Sequence, residues 1–88
     1  MMKVQILGTG CSKCRALTAN AETAISELGI DARIEKVEKI ADIARMGAMM
    51  TPGLAVDGQL KATGVLPVSR VKEILSASMS DHTAAVRS

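Results

Sequence analysis

The sequence of 88 residues contains no phenylalanine, tyrosine or tryptophan. Proteins that bind single-stranded nucleic acid stack the bases on aromatic side chains, so this absence argues against such a partner. It also means that the hydrophobic core must be built from aliphatic residues and methionine. The formal net charge is only +2, and basic residues are interleaved with acidic ones along the chain. That mixture is typical of a solvated surface rather than of a phosphate-binding patch.

Long hydrophobic runs are missing as well. No run approaches the roughly 20 apolar residues of a membrane-spanning helix, so we expect no membrane partner. The first seven residues lack a long apolar stretch and a small-residue cleavage site, so we expect a cytoplasmic protein. The length predicts one domain, placed at residues 1–79, and we expect it to be a monomer. Residues 80–88 lack periodicity and are predicted to form a flexible tail.

Hydrophobic periodicity predicts the order strand, helix, strand, helix, strand, strand, helix. Residues 3–7 form an apolar run that ends at a Gly-Thr-Gly breaker, and residues 12–28 carry apolar side chains at three- and four-residue steps. A second strand is predicted at residues 31–37, followed by a short helix that stops at Gly47. This order indicates an α/β protein whose first half is a parallel βαβ unit.

Turn residues define the second half of the chain. Asp57-Gly58 separates two short apolar runs, which is typical of a tight β-hairpin. Pro67 is expected to begin the last helix, where its missing N–H costs nothing. The apolar stripe of that helix runs from Val68 to Met79, so we expect the helix to end there.

Cys11 and Cys14 are the only residues in an arrangement with obvious chemistry. They fall where a strand ends and a helix begins, so Cys11 should lie at the helix N-cap and Cys14 in the first turn. The N-terminus of the helix would stabilise a thiolate at Cys11, and the cation of Lys13 could add to this. Because the thiolate is the attacking species, the position favours catalysis by Cys11. Cys14 lies in the apolar stripe beside Leu17 and is suited to resolving a mixed disulfide.

Other roles for the two cysteines remain open at this point. They could be unrelated buried side chains, or they could bind a metal ion. Residues 8–14 are similar to the metal-binding loop of heavy-metal-associated domains, although Thr9 stands where those domains usually have methionine. Such domains end on a strand, whereas a helix is predicted here. A redox-sensing adaptor without turnover is a third possibility.

Three segments together carry a more specific resemblance. Residues 6–14 read Ile-Leu-Gly-Thr-Gly-Cys-Ser-Lys-Cys, residues 51–54 read Thr-Pro-Gly-Leu, and residues 64–67 read Gly-Val-Leu-Pro. In this order and at these distances they resemble the small prokaryotic redox-active disulfide proteins of the thioredoxin/glutaredoxin superfamily. The resemblance covers about residues 2–77.

This resemblance implies a thioredoxin-like fold of order βαβαββα, with a four-stranded mixed sheet flanked by three helices. It implies a thiol–disulfide oxidoreductase without a cofactor, in which the Cys11–Cys14 disulfide exchanges with protein disulfides and is reduced again by an unidentified reductase. It further implies a cis bond between Thr51 and Pro52, facing the cysteines, where the Thr51 backbone would bind an extended substrate segment. Gly10 and Gly64 are assigned to the same substrate site.

The sequence departs from its larger relatives near the cysteines. The buried acid that thioredoxin carries in the strand before its active site is replaced by Gln5, which cannot exchange a proton, so proton transfer to Cys14 must use water or another group. Residues 63–65, Thr-Gly-Val, lack the pattern with which glutaredoxins hold glutathione, so the electron donor is open. The charged residues at positions 35–39 are interpreted as solvated surface. Met46, Met49 and Met50 are expected to fill gaps in the core rather than to bind a soft metal.

Overall fold

The computed structural model describes residues 2–10 and 12–87, with side chains through residue 78. It has four strands and three helices in the predicted order. The elements are β1 (Met2–Leu7), α1 (Ser12–Leu28), β2 (Ala32–Val37), α2 (Ile40–Arg45), β3 (Gly53–Val56), β4 (Gln59–Thr63) and α3 (Val68–Arg87). The predicted βαβαββα order is thus confirmed.

The four strands form one mixed sheet with the order β2-β1-β3-β4. Strand β1 pairs in parallel with β2 and antiparallel with β3, and β3 pairs antiparallel with β4. The turn between β3 and β4 consists of Asp57 and Gly58, which have φ values of +50° and +85°. Positive φ at both central residues defines the tight hairpin turn that the Asp-Gly pair predicts.

Aliphatic side chains cover both faces of the sheet. On one face, Val4 and Ile6 of β1 pack with Leu17 of α1 and Leu75 of α3 in the larger core cluster. On the other face, Leu7 packs with Ile43 of α2 in a smaller cluster. Alternation along β1 sends consecutive side chains to opposite faces, so one strand supplies both clusters. Two helices therefore flank one face, and the third flanks the other.

Polar contacts hold the segments around this core. Asn20 of α1 donates a hydrogen bond from Nδ2 to the carbonyl oxygen of Leu66, 2.8 Å away, which fixes the segment before α3. Lys72 of α3 and Glu27 of α1 form an ion pair at 3.0 Å. The amide of Val71 donates to the carbonyl oxygen of Pro67, so the predicted proline lies directly before α3, which starts at Val68.

The predicted end of the last helix is wrong. Helix α3 does not stop at Met79 but continues to Arg87. Residues 80–87 contain no glycine or proline that would end a helix, and the alanines at positions 84 and 85 favour helical backbone. The flexibility assigned to residues 80–88 stays a prediction, and Ser88 lies outside the described residues.

Candidate active site

The candidate site lies where β1 ends and α1 begins. Helix α1 starts at Ser12, so Cys14 occupies its first turn, as the sequence predicts. Cys14 is buried, with 5% of its surface exposed. Cys11 itself lies outside the described residues, so its predicted place at the N-cap stays a prediction. The first turn of α1 contains no acidic residue that would oppose a negative charge before it.

Gly8 is the residue against which Cys14 packs. A Cβ atom built on Gly8 would collide with Cys14 Sγ and would lie 3.3 Å from Cys14 Cβ. The same point is 3.9 Å from the Cα atom of Pro52. Leu7 pairs with Gly53 in the sheet, so the next residues outward, Gly8 and Pro52, meet at the same edge. The absence of a side chain at Gly8 thus lets Cys14 lie close to both the strand end and Pro52.

Pro52 contacts Thr51 and Gly64, which the sequence analysis also assigned to the substrate site. The Thr51–Pro52 peptide bond is cis, as the resemblance implies. Pro52 is fully buried, while Thr51 is exposed beside it. The amide of Gly64 donates a hydrogen bond to the carbonyl oxygen of Pro52, at 2.7 Å. The structure therefore brings Thr51 and Gly64 together around Pro52, which lies next to Cys14.

The two glycines of the predicted substrate site owe their identity to backbone conformation. Gly10 and Gly64 have φ values of +88° and +100°, a region that residues with a side chain rarely adopt. Nothing lies within 4 Å of a Cβ atom built on Gly64, so its role is the turn rather than a close approach. Gly10 and Lys13 are both exposed on the two sides of position 11. The structure does not test whether Lys13 tunes the thiol.

A cavity of about 110 Å³ lies behind Cys14, between the sheet and α1. Ile6, Gly8, Cys14 and Thr18 form its inner wall. The Thr18 hydroxyl donates to the carbonyl oxygen of Cys14, at 2.9 Å, so this polar group is satisfied. The remaining lining residues are exposed and lie at the mouth of the cavity: Gly10, Arg15, Lys36 and Glu38.

Gln5, which the sequence analysis matched to thioredoxin's buried acid, faces away from this cavity. It alternates with Val4 and Ile6 along β1 and shares the face of Leu7. Its Oε1 atom accepts a hydrogen bond from the amide of Gly58 at 2.8 Å, and its Nε2 atom donates to Glu35 at 3.3 Å. Gln5 therefore supports the hairpin turn rather than Cys14.

The methionines before Thr51 do not all fill the core, as the sequence analysis expected. Met46 packs against the smaller cluster. Met49 and Met50, however, are 96% and 67% exposed. The interpretation was wrong for these two because the segment between α2 and β3 runs over the surface, where no helical or strand periodicity directs side chains inward.

Sequence reasoning missed three residues of this site. Gly8 was interpreted as part of a chain-breaking loop and of the motif, but no role in packing against Cys14 was predicted for it. Thr18 lies one turn after Cys14 on the same helix face, a spacing that could have found it. Glu38 was interpreted as solvated surface, and nothing in the sequence distinguishes it from its charged neighbours. Its place at the cavity follows only from the pairing of β2 with β1.

Comparison with known proteins agrees with this architecture. The family profile described as "Thioredoxin domain" matches residues 2–76. A thioredoxin of Methanothermobacter thermautotrophicus is 51% identical over 77 residues, which span 86% of this chain and 100% of that protein. A thioredoxin of Methanocaldococcus jannaschii is 41% identical over 78 residues, which span 88% of this chain and 90% of that protein.

The chain belongs to the thioredoxin family. It has the thioredoxin-like α/β fold and is a thiol–disulfide oxidoreductase. The metal-carrier alternative required an element order that ends on a strand, whereas this chain ends on α3. Among the described residues, no three His, Cys, Asp or Glu side chains are grouped to hold a metal ion. None of the helices within residues 2–10 and 12–87 has the length and apolar character needed to cross a membrane.

Proposed function

We propose that Cys11 and Cys14 are the redox-active pair and that they reduce disulfides of protein substrates through a mixed disulfide. The observation that carries the proposal is the burial of Cys14 in the first turn of α1, against Gly8 and beside Pro52. A buried sulfur three residues after an attacking cysteine is placed to resolve an intermediate rather than to meet a substrate first.

The reaction has two displacement steps. The Cys11 thiolate attacks one sulfur of the substrate disulfide, a new S–S bond forms, and the other substrate sulfur leaves as a thiolate. Cys14 then attacks Cys11 Sγ, and the second substrate sulfur leaves. The products are a Cys11–Cys14 disulfide and a substrate dithiol, so the substrate is reduced and the cysteine pair is oxidised. No cofactor takes part, since the cysteine pair itself carries the two electrons.

Reactivity at Cys11 is assigned to its position before α1. The pKa of Cys11 is expected to lie below the free value of about 8.5, because a helix N-terminus favours negative charge. Helix α1 has 17 residues, and its first turn holds no competing carboxylate. The exposed Lys13 would add a positive charge on the same turn.

Substrate binding is assigned to the backbone beside Pro52. Thr51 is exposed, and Pro52 is fixed by burial and by the hydrogen bond from Gly64. An extended substrate segment would lie along Thr51, between the backbone turns that Gly10 and Gly64 form with their positive φ values. We further propose that the protein works as a monomer in the cytoplasm, where glutathione and thioredoxin systems keep cysteine pairs reduced. An unidentified reductase would return the electrons.

A reduction assay tests the proposal. The chain and a disulfide-bonded protein rich in tryptophan are mixed with a low-molecular-weight dithiol, and the substrate's fluorescence is followed as its disulfide opens. Because this chain has no aromatic residue, the signal comes from the substrate alone. We expect catalysis by the parent chain and none by a Cys11→Ser, Cys14→Ser double variant. Equal rates for the parent, the double variant and the dithiol alone would contradict the proposal.

A further inference from the structure

The cavity behind Cys14 raises the question of where the Cys14 proton goes. The thiolate is the species that attacks a disulfide, so Cys14 must lose its proton before it resolves the intermediate. Gln5 cannot take that proton, because its amide is neutral and lies on the opposite face of β1. A base that serves Cys14 through the cavity would have to reach it from another element.

Among the described residues that line this cavity, Glu38 alone carries a carboxylate. The other charged groups that face the cavity are Arg15, from α1, and Lys36, from β2, and both are cations. The amide of Gly8 donates to the carbonyl oxygen of Val37 at 2.9 Å, which holds the chain just before Glu38 against the end of β1. Glu38 Oε2 lies 3.6 Å from the Cβ position of Gly10.

We propose that Glu38 is the proton acceptor for Cys14 and that the proton crosses the cavity through water. The proposal rests on the function proposed above. The volume of about 110 Å³ admits water, and Cys14 lines the inner wall while Glu38 lines the mouth. A relay of this kind suits an exposed carboxylate that does not itself touch the buried sulfur.

The proposed step balances without a further reactant. The Cys14 S–H bond breaks, and its proton passes through water to a Glu38 carboxylate oxygen. The Cys14 thiolate forms a bond with Cys11 Sγ, and the bond between Cys11 and the substrate sulfur breaks. The departing substrate thiolate takes up one proton from solvent, and Glu38 returns the proton that it accepted to solvent.

Rapid acid quench followed by mass spectrometry separates the two steps of the reaction. The first step is the appearance of the mixed disulfide, and the second is its decay. In a Glu38→Gln variant, we expect the mixed disulfide to appear at the parent rate and to decay roughly 10²-fold more slowly at pH 7, a typical effect of losing a general base. The deficit should shrink as the pH rises, because hydroxide then replaces the carboxylate. A Glu38→Asp variant should recover part of the rate.

Glu35→Gln is the matched control. Glu35 lies on the same strand as Lys36 but contacts Gln5 and Lys3 on the other face of the sheet. Its variant should keep the parent decay rate and pH profile. The inference is overturned if Glu38→Gln decays at the parent rate, or if both steps slow equally. If neither the parent nor a Cys14→Ser variant forms a mixed disulfide, the proposed function itself is overturned. The inference about Glu38 then falls with it.

Discussion

At the scale of single residues, the site depends on a side chain that is missing. Gly8 has no Cβ atom, and the space is occupied by Cys14 Sγ. The φ value of Gly8 is not in the left-handed region, so steric room rather than backbone freedom requires glycine here. Cys14 can therefore lie in the wall of a packed strand–helix interface instead of projecting from it.

Replacing Gly8 by Ala should disturb both stability and resolution. The new methyl group would collide with Cys14 Sγ, and overpacking of this kind typically costs about 1–3 kcal/mol of unfolding free energy. The displaced Cys14 should also resolve the mixed disulfide more slowly. Denaturant unfolding followed by circular dichroism measures the first effect, since the chain has no aromatic fluorophore.

Gly53→Ala provides the control for this prediction. A Cβ atom built on Gly53 meets its nearest neighbours, in Leu60, Leu7 and Ala62, at 3.5–3.7 Å, which is ordinary van der Waals contact. The Gly53 variant should unfold at nearly the same denaturant concentration as the parent. If Gly8→Ala loses no more stability than Gly53→Ala, close packing at Cys14 does not explain Gly8.

At the scale of elements, the β3–β4 hairpin is tied to the central strand by polar groups. The amide of Gly58 donates to Gln5 Oε1, and the amide of Lys3 donates to Asp57 Oδ1 at 2.9 Å. Gln5 is only 9% exposed, so water has little access to its side-chain amide, and the hydrogen bonds with Gly58 and Glu35 satisfy it instead. Gln5 is thus a structural residue of the turn.

Replacing Gln5 by Ala should destabilise the protein without changing the chemistry. The hydrogen bond from the Gly58 amide to Gln5 Oε1 would be lost, and because Gly58 itself is exposed to water, the cost should be about 0.5–1.5 kcal/mol, that of a typical hydrogen bond. Because Gln5 faces away from the cavity, the decay rate of the mixed disulfide should match that of the parent. Gln59→Ala is the control, since the only described hydrogen bond of the exposed Gln59 side chain is the one it accepts from half-buried Lys61, and the variant should change stability by less than about 0.5 kcal/mol. A resolution defect in Gln5→Ala would place Gln5 in the proton path.

Element boundaries show what local sequence signals can predict. The Asp57-Gly58 turn and the start of α3 after Pro67 follow from residues that restrict their own backbone, so they are confirmed. The end of α3 was missed because no such residue stands there. The exposure of Met49 and Met50 could not be read from local pattern either, since it depends on where the segment before β3 runs in the folded chain.

At the scale of the whole molecule, a mixed sheet brings distant segments to one edge. Parallel pairing with β2 places Glu38 beside the end of β1, and antiparallel pairing with β3 places Pro52 there. Sequence analysis identified the cysteines and Pro52 from motifs, but Glu38 belongs to no motif. The sequence alone does not show which strands pair. This pairing forms the cavity on which the proposed proton path depends.

The measurement that tests the central claim most directly is mass spectrometry of two single variants. Each is reduced, freed of reductant and exposed to a disulfide-bonded protein. Cys14→Ser should keep the attack by Cys11 but lose resolution, so a mixed disulfide on Cys11 should accumulate. Cys11→Ser should form no adduct, because buried Cys14 does not meet the substrate. An adduct on the Cys11→Ser variant, with none on Cys14→Ser, would contradict the account.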